Sequence, residues 1–150
     1  FEDRIGGDRS VLDAMVENER LGQKGGRGFW QWKQGKKTVV ETDVYAFAGS
    51  PAPRDVPAET LQERLILTMI NEAARCLDEG VVAAPADVDL GLVMGTGFPP
   101  FRGGLLRHAD AVGIPIVTDR LTRLADAHGP RLAPAERLHR MVREQRRFYS

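Results

Sequence analysis

Gly95-x-Gly97 has the spacing with which a dinucleotide-binding turn begins, where glycines let the backbone approach a pyrophosphate. Here it leads into Phe98-Pro99-Pro100-Phe101-Arg102-Gly103-Gly104. Pro100 stands where the third glycine should be, and Asp87 to Met94 reads as helix, not as the preceding Val/Ile-rich strand that a phosphate cradle needs. The two prolines fix the backbone and remove two N–H donors. Pro99 also turns Phe98 away from the helical region. The stretch reads as a rigid helix–helix connection, with two phenylalanines, Phe98 and Phe101, burying apolar area beside Arg102.

The other groups with chemical potential are sparser. Asn71 and Arg75 lie one helical turn apart, with Glu72 beside them. Such a set can face a ligand, but a solvated face or an interhelix hydrogen bond is the commoner use. Cys76, the only cysteine, lies in an apolar helical pattern and reads as a buried, inert thiol. His108, His128 and His139 have no Asp, Glu, Cys or His at i+3 or i+4, so no metal-ligand spacing is present. From Arg20 to Lys37 there are six basic residues and no acidic ones, interleaved with Phe29, Trp30, Trp32 and glycines. Cations and flat rings suit single-stranded nucleic acid. Equally, Trp30 and Trp32 would share one face of a short strand and anchor it to the core, with Gln34-Gly35 turning the chain into Thr38-Val39-Val40. The rest of the chain supplies no basic groove, so nucleic acid is not expected as a partner.

The elements that must hold these residues are mostly helices. Residues 1–9 read as an irregular lead-in. Ser10 is suited to cap a helix that runs to about Arg20, with Gly22 beyond its end. Residues 49–58, with Pro51, Pro53 and Pro57, break all regular structure. A long helix follows over about 58–79, where Leu61, Leu65, Ile66, Met69, Ile70, Ala73 and Leu77 form a stripe wide enough for more than one neighbour. Gly80 stops it. Pro85 opens the next helix, with Asp87 and Asp89 near its positive end. A short helix over about 104–112 ends at Gly113. Pro115 starts another, whose Ile114, Val117, Leu121 and Leu124 recur at helical spacing. Pro134 opens the last, with Leu138, Met141 and Val142 inward. Residues 131–147 hold six arginines against two acids, which reads as a solvated face.

Bulk properties narrow the class further. The 150 residues are 42% hydrophobic and 28% charged, with zero formal net charge, as expected of one globular domain with a core. Zero net charge gives no global attraction to nucleic acid or anionic lipid. One cysteine allows no intrachain disulfide and suits a reducing, cytoplasmic setting. No apolar run is long enough to span a membrane. The chain begins at Phe1, which fits a fragment of something longer.

Three stretches then carry a resemblance. They are Asn71-Glu72-Ala73 with Glu79 through Asp89, Gly97 through Gly104, and His108 through Gly113. Together they resemble the C-terminal helical region of 3-hydroxyacyl-CoA dehydrogenases, most of all the multifunctional α-subunit of the fatty-acid oxidation complex. Leu21-Gly22-Gln23-Lys24-Gly25-Gly26-Arg27-Gly28-Phe29-Trp30-Gln31-Trp32 is similar to the close of the first of two tandem helical repeats in that family. The resemblance implies an all-α helical bundle with a short Gly/Trp-containing extended or hairpin segment near 28–41. Residues 1–48 would be the tail of the first repeat, 49–58 a Pro-rich connection, and 59–150 the second repeat.

It also implies that the chemistry lies elsewhere. In the family an upstream domain binds NAD and carries the catalytic His–Glu pair, so no catalytic, cofactor-binding or metal-ligating residue is expected here. The second repeat takes the place of a dimer partner. Gly97, Phe98, Pro99, Pro100, Phe101, Arg102, Gly103 and Gly104 are then the expected structural or interface loop. Leu65, Met69, Asn71, Glu72 and Arg75 are the expected interface or ligand-facing positions. Implied partners are the upstream dehydrogenase domains, a second copy, or a thiolase subunit. The implied whole oxidises 3-hydroxyacyl-CoA and hydrates enoyl-CoA in a separate domain. The alternative is a free-standing helical dimerisation or docking module without enzymatic activity.

Overall fold

The computed structural model describes residues 9–49, 53 and 55–149. The expected lead-in over 1–9 lies outside the described residues except at its last position. Positions 50–52 and 54 of the Pro-rich break lie outside them too. The chain divides into two compact units between Val56 and Pro57.

The first unit contains helix α1 (Ser10–Glu17) and an antiparallel hairpin of β1 (Trp30–Lys33) and β2 (Lys36–Val40). A 3₁₀ segment, Thr42–Ala48, follows and packs on α1. Ser10 is the first helical residue and not the cap; Arg9 precedes it without a side-chain cap bond. α1 also stops earlier than its basic end suggests. Asn18 closes it, donating from both its backbone N and its Nδ2 to the Ala14 carbonyl, and Glu19 then takes a left-handed turn. The hairpin turns on Gln34 and Gly35, both with positive φ, the backbone that a two-residue loop between twisted strands requires. Trp30 and Trp32 do share a face, but a bulge separates them, and they are not core anchors. Trp30 is exposed, and the Lys37 ammonium lies 5.7 Å from its ring centroid and 5.6 Å from that of Trp32. The small core of this unit is instead Met15 and Val44. Beside it, Glu41 accepts from Arg27 at 2.6 Å and from Arg20 at 3.1 Å, and Asp43 also pairs with Arg20. Two of the six cations in the basic run are thereby neutralised.

The second unit is helical: α2 (Ala58–Asp78), α3 (Pro85–Thr96), α4 (Leu105–Val112), α5 (Ile114–His128) and α6 (Glu136–Arg143). α2 runs through the middle and packs on α4, α5 and α6. Its Leu67, Ile70, Ala73 and Ala74 meet Leu105, Leu106, Ala109, Val117, Leu121 and Leu138 in one core. α2 ends as Gly80 predicts: the Val81 N–H reaches back to the Cys76 carbonyl at 2.9 Å, the hydrogen bond of a Schellman close. Cys76 is half-buried. Asp87 accepts from the Ala84 N–H at 3.1 Å and so fixes the start of α3. α6 begins at Glu136, two residues after Pro134, with Ala135 as its cap. The arginines of the C-terminal stretch are largely spent on acids: Arg137 and Arg140 both reach Asp78, and Arg143 reaches Glu136.

Candidate functional site

Helix α3 presents a buried stripe in which one position is charged. Asp89, 4% exposed, stands among Val88, Leu92 and Val93. Its carboxylate does not serve the start of α3. It accepts from the backbone N–H groups of Leu106, at 2.7 Å, and Arg107, at 3.3 Å, and so caps α4 from across the unit. The residue that precedes α4 is Gly104, which has no side chain to cap with. Its φ is 122°, and a Cβ there would lie 2.2 Å from the Asp89 Cγ. Glycine is thus required at 104 twice over, by conformation and by the carboxylate that takes the place of a side chain.

The same carboxylate holds the end of the chain. Tyr149 donates its hydroxyl to Asp89 at 2.7 Å, under the Arg107 guanidinium, 4.0 Å from the ring centroid. Burial first, and then the neighbouring Asp89 charge, push the Tyr149 phenol up to about 12. Asp110 accepts from the N–H groups of Phe148 and Tyr149, both at 2.9 Å.

The loop from Gly97 to Gly104 has a fixed shape. Gly97 closes α3, Phe98 drops into the core at 6% exposure, and Pro100–Arg102 form a 3₁₀ turn ending at Gly103. Phe101, expected to be buried, is 84% exposed. The turn carries the chain outward after Pro99, so only the phenylalanine before it faces inward. Arg102 is exposed too, 5.8 Å from the Phe101 ring centroid, with Nη1 3.3 Å from the His108 Nδ1. Burial, then the Arg102 charge, hold His108 below the ordinary imidazole value and so favour its neutral form.

Asn71, Glu72 and Arg75 do come together, on the turn before α6. Asn71 is 2% exposed; its Nδ2 donates to the Ala133 carbonyl at 2.9 Å and its Oδ1 accepts from the Ala135 N–H at 2.7 Å, bracketing Pro134. Arg75 donates to the same Ala133 carbonyl at 3.1 Å and pairs with Glu72 at 3.3 Å. Both ends of the Asn71 amide are therefore committed within the fold. Met69 is half-buried against the core, whereas Leu65 is 65% and Leu61 50% exposed on the same helix.

A groove of about 730 Å³ opens along the other flank of α2, floored by Ile66, Ile70, Phe98 and Val117 and edged by Phe101 and Arg102. Among the described residues no group of three or more His, Cys, Asp or Glu side chains is placed to hold a metal ion, and no helix is long and apolar enough to cross a membrane. Sequence reasoning missed Asp89 as a cap, Asp110, and Tyr149. The signal for Asp89 was present, a lone acid on an otherwise apolar stripe. The end of the chain carried none.

Comparison with known proteins yields a consistent set. The sequence profile described as 3-hydroxyacyl-CoA dehydrogenase, C-terminal domain, matches residues 61–148. The chain is similar to the fatty acid oxidation complex subunit alpha of Shewanella loihica, 39% identical over 141 residues, 93% of this chain and 20% of that protein. It is also similar to the subunit of the same description from a Shewanella species, strain ANA-3, at 37% identity over 145 residues, again 93% of this chain and 20% of the relative. The chain thus spans about a fifth of the length of these curated relatives.

Proposed function

The chain belongs to the 3-hydroxyacyl-CoA dehydrogenase C-terminal domain family, and on that premise we propose that it completes the helical half of such an enzyme without carrying its chemistry. Residues 1–48 are the tail of a first helical repeat, 49–58 the connection, and 59–150 a second repeat that occupies the place of a dimer partner. The whole polypeptide oxidises 3-hydroxyacyl-CoA with NAD held in an upstream domain, hydrates enoyl-CoA in another, and works in the cytoplasm of the cell. A thiolase subunit is a further partner of the assembly. Asn71 here is a positioning residue for the turn before α6, not a catalytic one.

The observation that carries this reading is the uncovered Leu61–Leu65 stripe on a helix whose remaining apolar residues are packed. A long helix with apolar residues on more than one side needs more than one neighbour. The test compares the complete polypeptide with the 150-residue chain. NADH formation from a 3-hydroxyacyl-CoA is expected from the former and not from the latter. Leu65→Asp is expected to lower the melting temperature and turnover of the complete protein and to leave the 150-residue chain unchanged. No oxidation by the complete protein, or indifference of that protein to Leu65→Asp, would overturn the proposal in favour of a free-standing docking module.

A further inference from the structure

The first unit commits its arginines and leaves its lysines free. From Arg20 to Val40 the chain has no acidic residue. Arg20 and Arg27 are held by Glu41 and Asp43. Lys24, Lys33, Lys36 and Lys37 are all exposed, and among the described residues none of them is paired with a carboxylate. Lys33 and Lys36 are moreover register partners across the hairpin. Like charges set opposite one another weaken a strand pair, so this pair does not serve the fold. Apolar groups stand on and beside the same two strands. Phe29 is 48%, Trp30 37%, Val39 59% and Val40 43% exposed. Trp30 and Trp32 share a face with their register partners Val40 and Lys37, and the Lys37 ammonium lies near both rings.

We propose that this hairpin docks on an anionic lipid surface, as a peripheral contact. Free cations beside aromatic rings can meet a nucleic acid, a protein or a membrane, and the residue types choose among these. Nucleic-acid and protein interfaces favour arginine, whose planar fork pairs bidentately, and protein interfaces are poor in lysine. Here the arginines are the committed cations and the lysines the free ones. Single-stranded nucleic acid uses cations and flat rings but has no use for exposed valines. The boundary between lipid headgroups and acyl chains takes lysine, aromatic ring and aliphatic side chain together. Tryptophan places an apolar body and a polar N–H across that boundary, and lysine extends a flexible stem past apolar neighbours to the phosphates. Charge or a small apolar patch alone binds a membrane only marginally; the two combined give stable attachment. Docking of this kind is independent of the dehydrogenase reading and needs no catalytic domain.

Vesicle co-sedimentation tests it, with phosphatidylcholine vesicles against vesicles of mixed phosphatidylserine and phosphatidylcholine. The 150-residue chain and the complete polypeptide are both expected to bind the mixed vesicles, less so as salt rises, and to bind phosphatidylcholine alone weakly. Both tryptophans of the chain lie in β1, so in the 150-residue chain their emission should shift to the blue on binding and resist aqueous quencher. Lys33→Glu turns a like-charge pair into an ion pair. It is expected to keep or raise the melting temperature while lowering vesicle partitioning by about tenfold. Val39→Thr with Val40→Thr keeps shape, charge and strand preference, and is expected to lower partitioning by about threefold or more. No binding to the mixed vesicles at low salt, or by the complete polypeptide, would overturn the proposal. So would partitioning indifferent to Lys33→Glu, or tryptophan emission unchanged by vesicles. Tighter binding to a single-stranded oligonucleotide, unaffected by the valine replacements, would overturn it in favour of nucleic acid.

Discussion

Tyr149, at the end of the described chain, donates its hydroxyl to Asp89, sixty residues earlier, at 2.7 Å. One buried carboxylate thus receives the start of α4 and the close of the chain together. Tyr149→Phe removes one hydrogen bond and is expected to cost about 0.5–1.5 kcal/mol in urea unfolding. Asp89→Ala also leaves two α4 amides without their acceptor and is expected to cost clearly more. The Tyr149 phenol is raised in the folded state to about 12. Its contribution is full below the unfolded value near 10, falls as pH rises, and is gone above 12. Tyr149→Phe should flatten the alkaline limb of the stability profile.

Gly104→Ala is expected to cost about 3 kcal/mol or more, through a left-handed backbone and a Cβ driven into Asp89. Gly91, inside α3 with open space where a Cβ would go, is the control. Gly91→Ala is expected to be neutral or to stabilise by up to about 1 kcal/mol. Thermal melts of the two variants should diverge in opposite directions.

Asn71→Ala is expected to cost about 2–4 kcal/mol, because it deletes two hydrogen bonds and leaves a buried Ala135 N–H without its acceptor. Asn71→Asp keeps the acceptor but loses the donor to Ala133, so it should fall between Ala and wild type. Equal losses in the two variants would mean that the bracket around Pro134 does not hold the turn.

The Glu41 carboxylate, hydrogen-bonded first by Arg27 and also by Arg20, is lowered to about 2. A depressed carboxylate contributes stability above its unfolded value of about 4.5 and loses it as pH falls through 2. Both tryptophans of the chain, Trp30 and Trp32, lie in the first unit. Acid titration followed by tryptophan fluorescence therefore reports on this unit alone. The transition is expected to fall between about pH 4.5 and 2, and Glu41→Gln should remove most of its pH dependence.

Leu67→Ala, at a core position 4% exposed, is expected to cost about 2–5 kcal/mol. Leu65→Asp, two residues away and 65% exposed, should stay within about 0.5 kcal/mol in the 150-residue chain. Met69→Asp is a poorer probe of the exposed stripe, since Met69 packs on the core and the charge would strike the fold itself.

The helices were legible where period and punctuation agreed. Ile114, Val117 and Leu121 all turn inward as their spacing requires, and Gly80 and Pro85 delimit the turn between α2 and α3. Ends set by a single side chain were less so. Ser10 has the type of a cap, but the chain enters α1 one residue earlier, through Arg9. In the loop, sequence fixes that Pro99 and Pro100 are stiff but not which phenylalanine faces in; that follows from the sense of the turn. The Asp89 cap pairs residues seventeen apart on different helices, and no local pattern specifies such a pair. The Tyr149 contact is longer in range still, and nothing in the sequence around it points back to α3.

Gly113 belongs to two helices at once. Its N–H donates to the Ala109 carbonyl at 2.9 Å to finish α4, and its carbonyl accepts from the Val117 N–H at 3.0 Å to begin α5. No spacer separates the two elements, so neither end can fray alone. The last turn of one and the first turn of the other share a single melting event, and the amide protons of Gly113 and Val117 should exchange with solvent as a pair. What looks like a corner between two rods is mechanically a rivet.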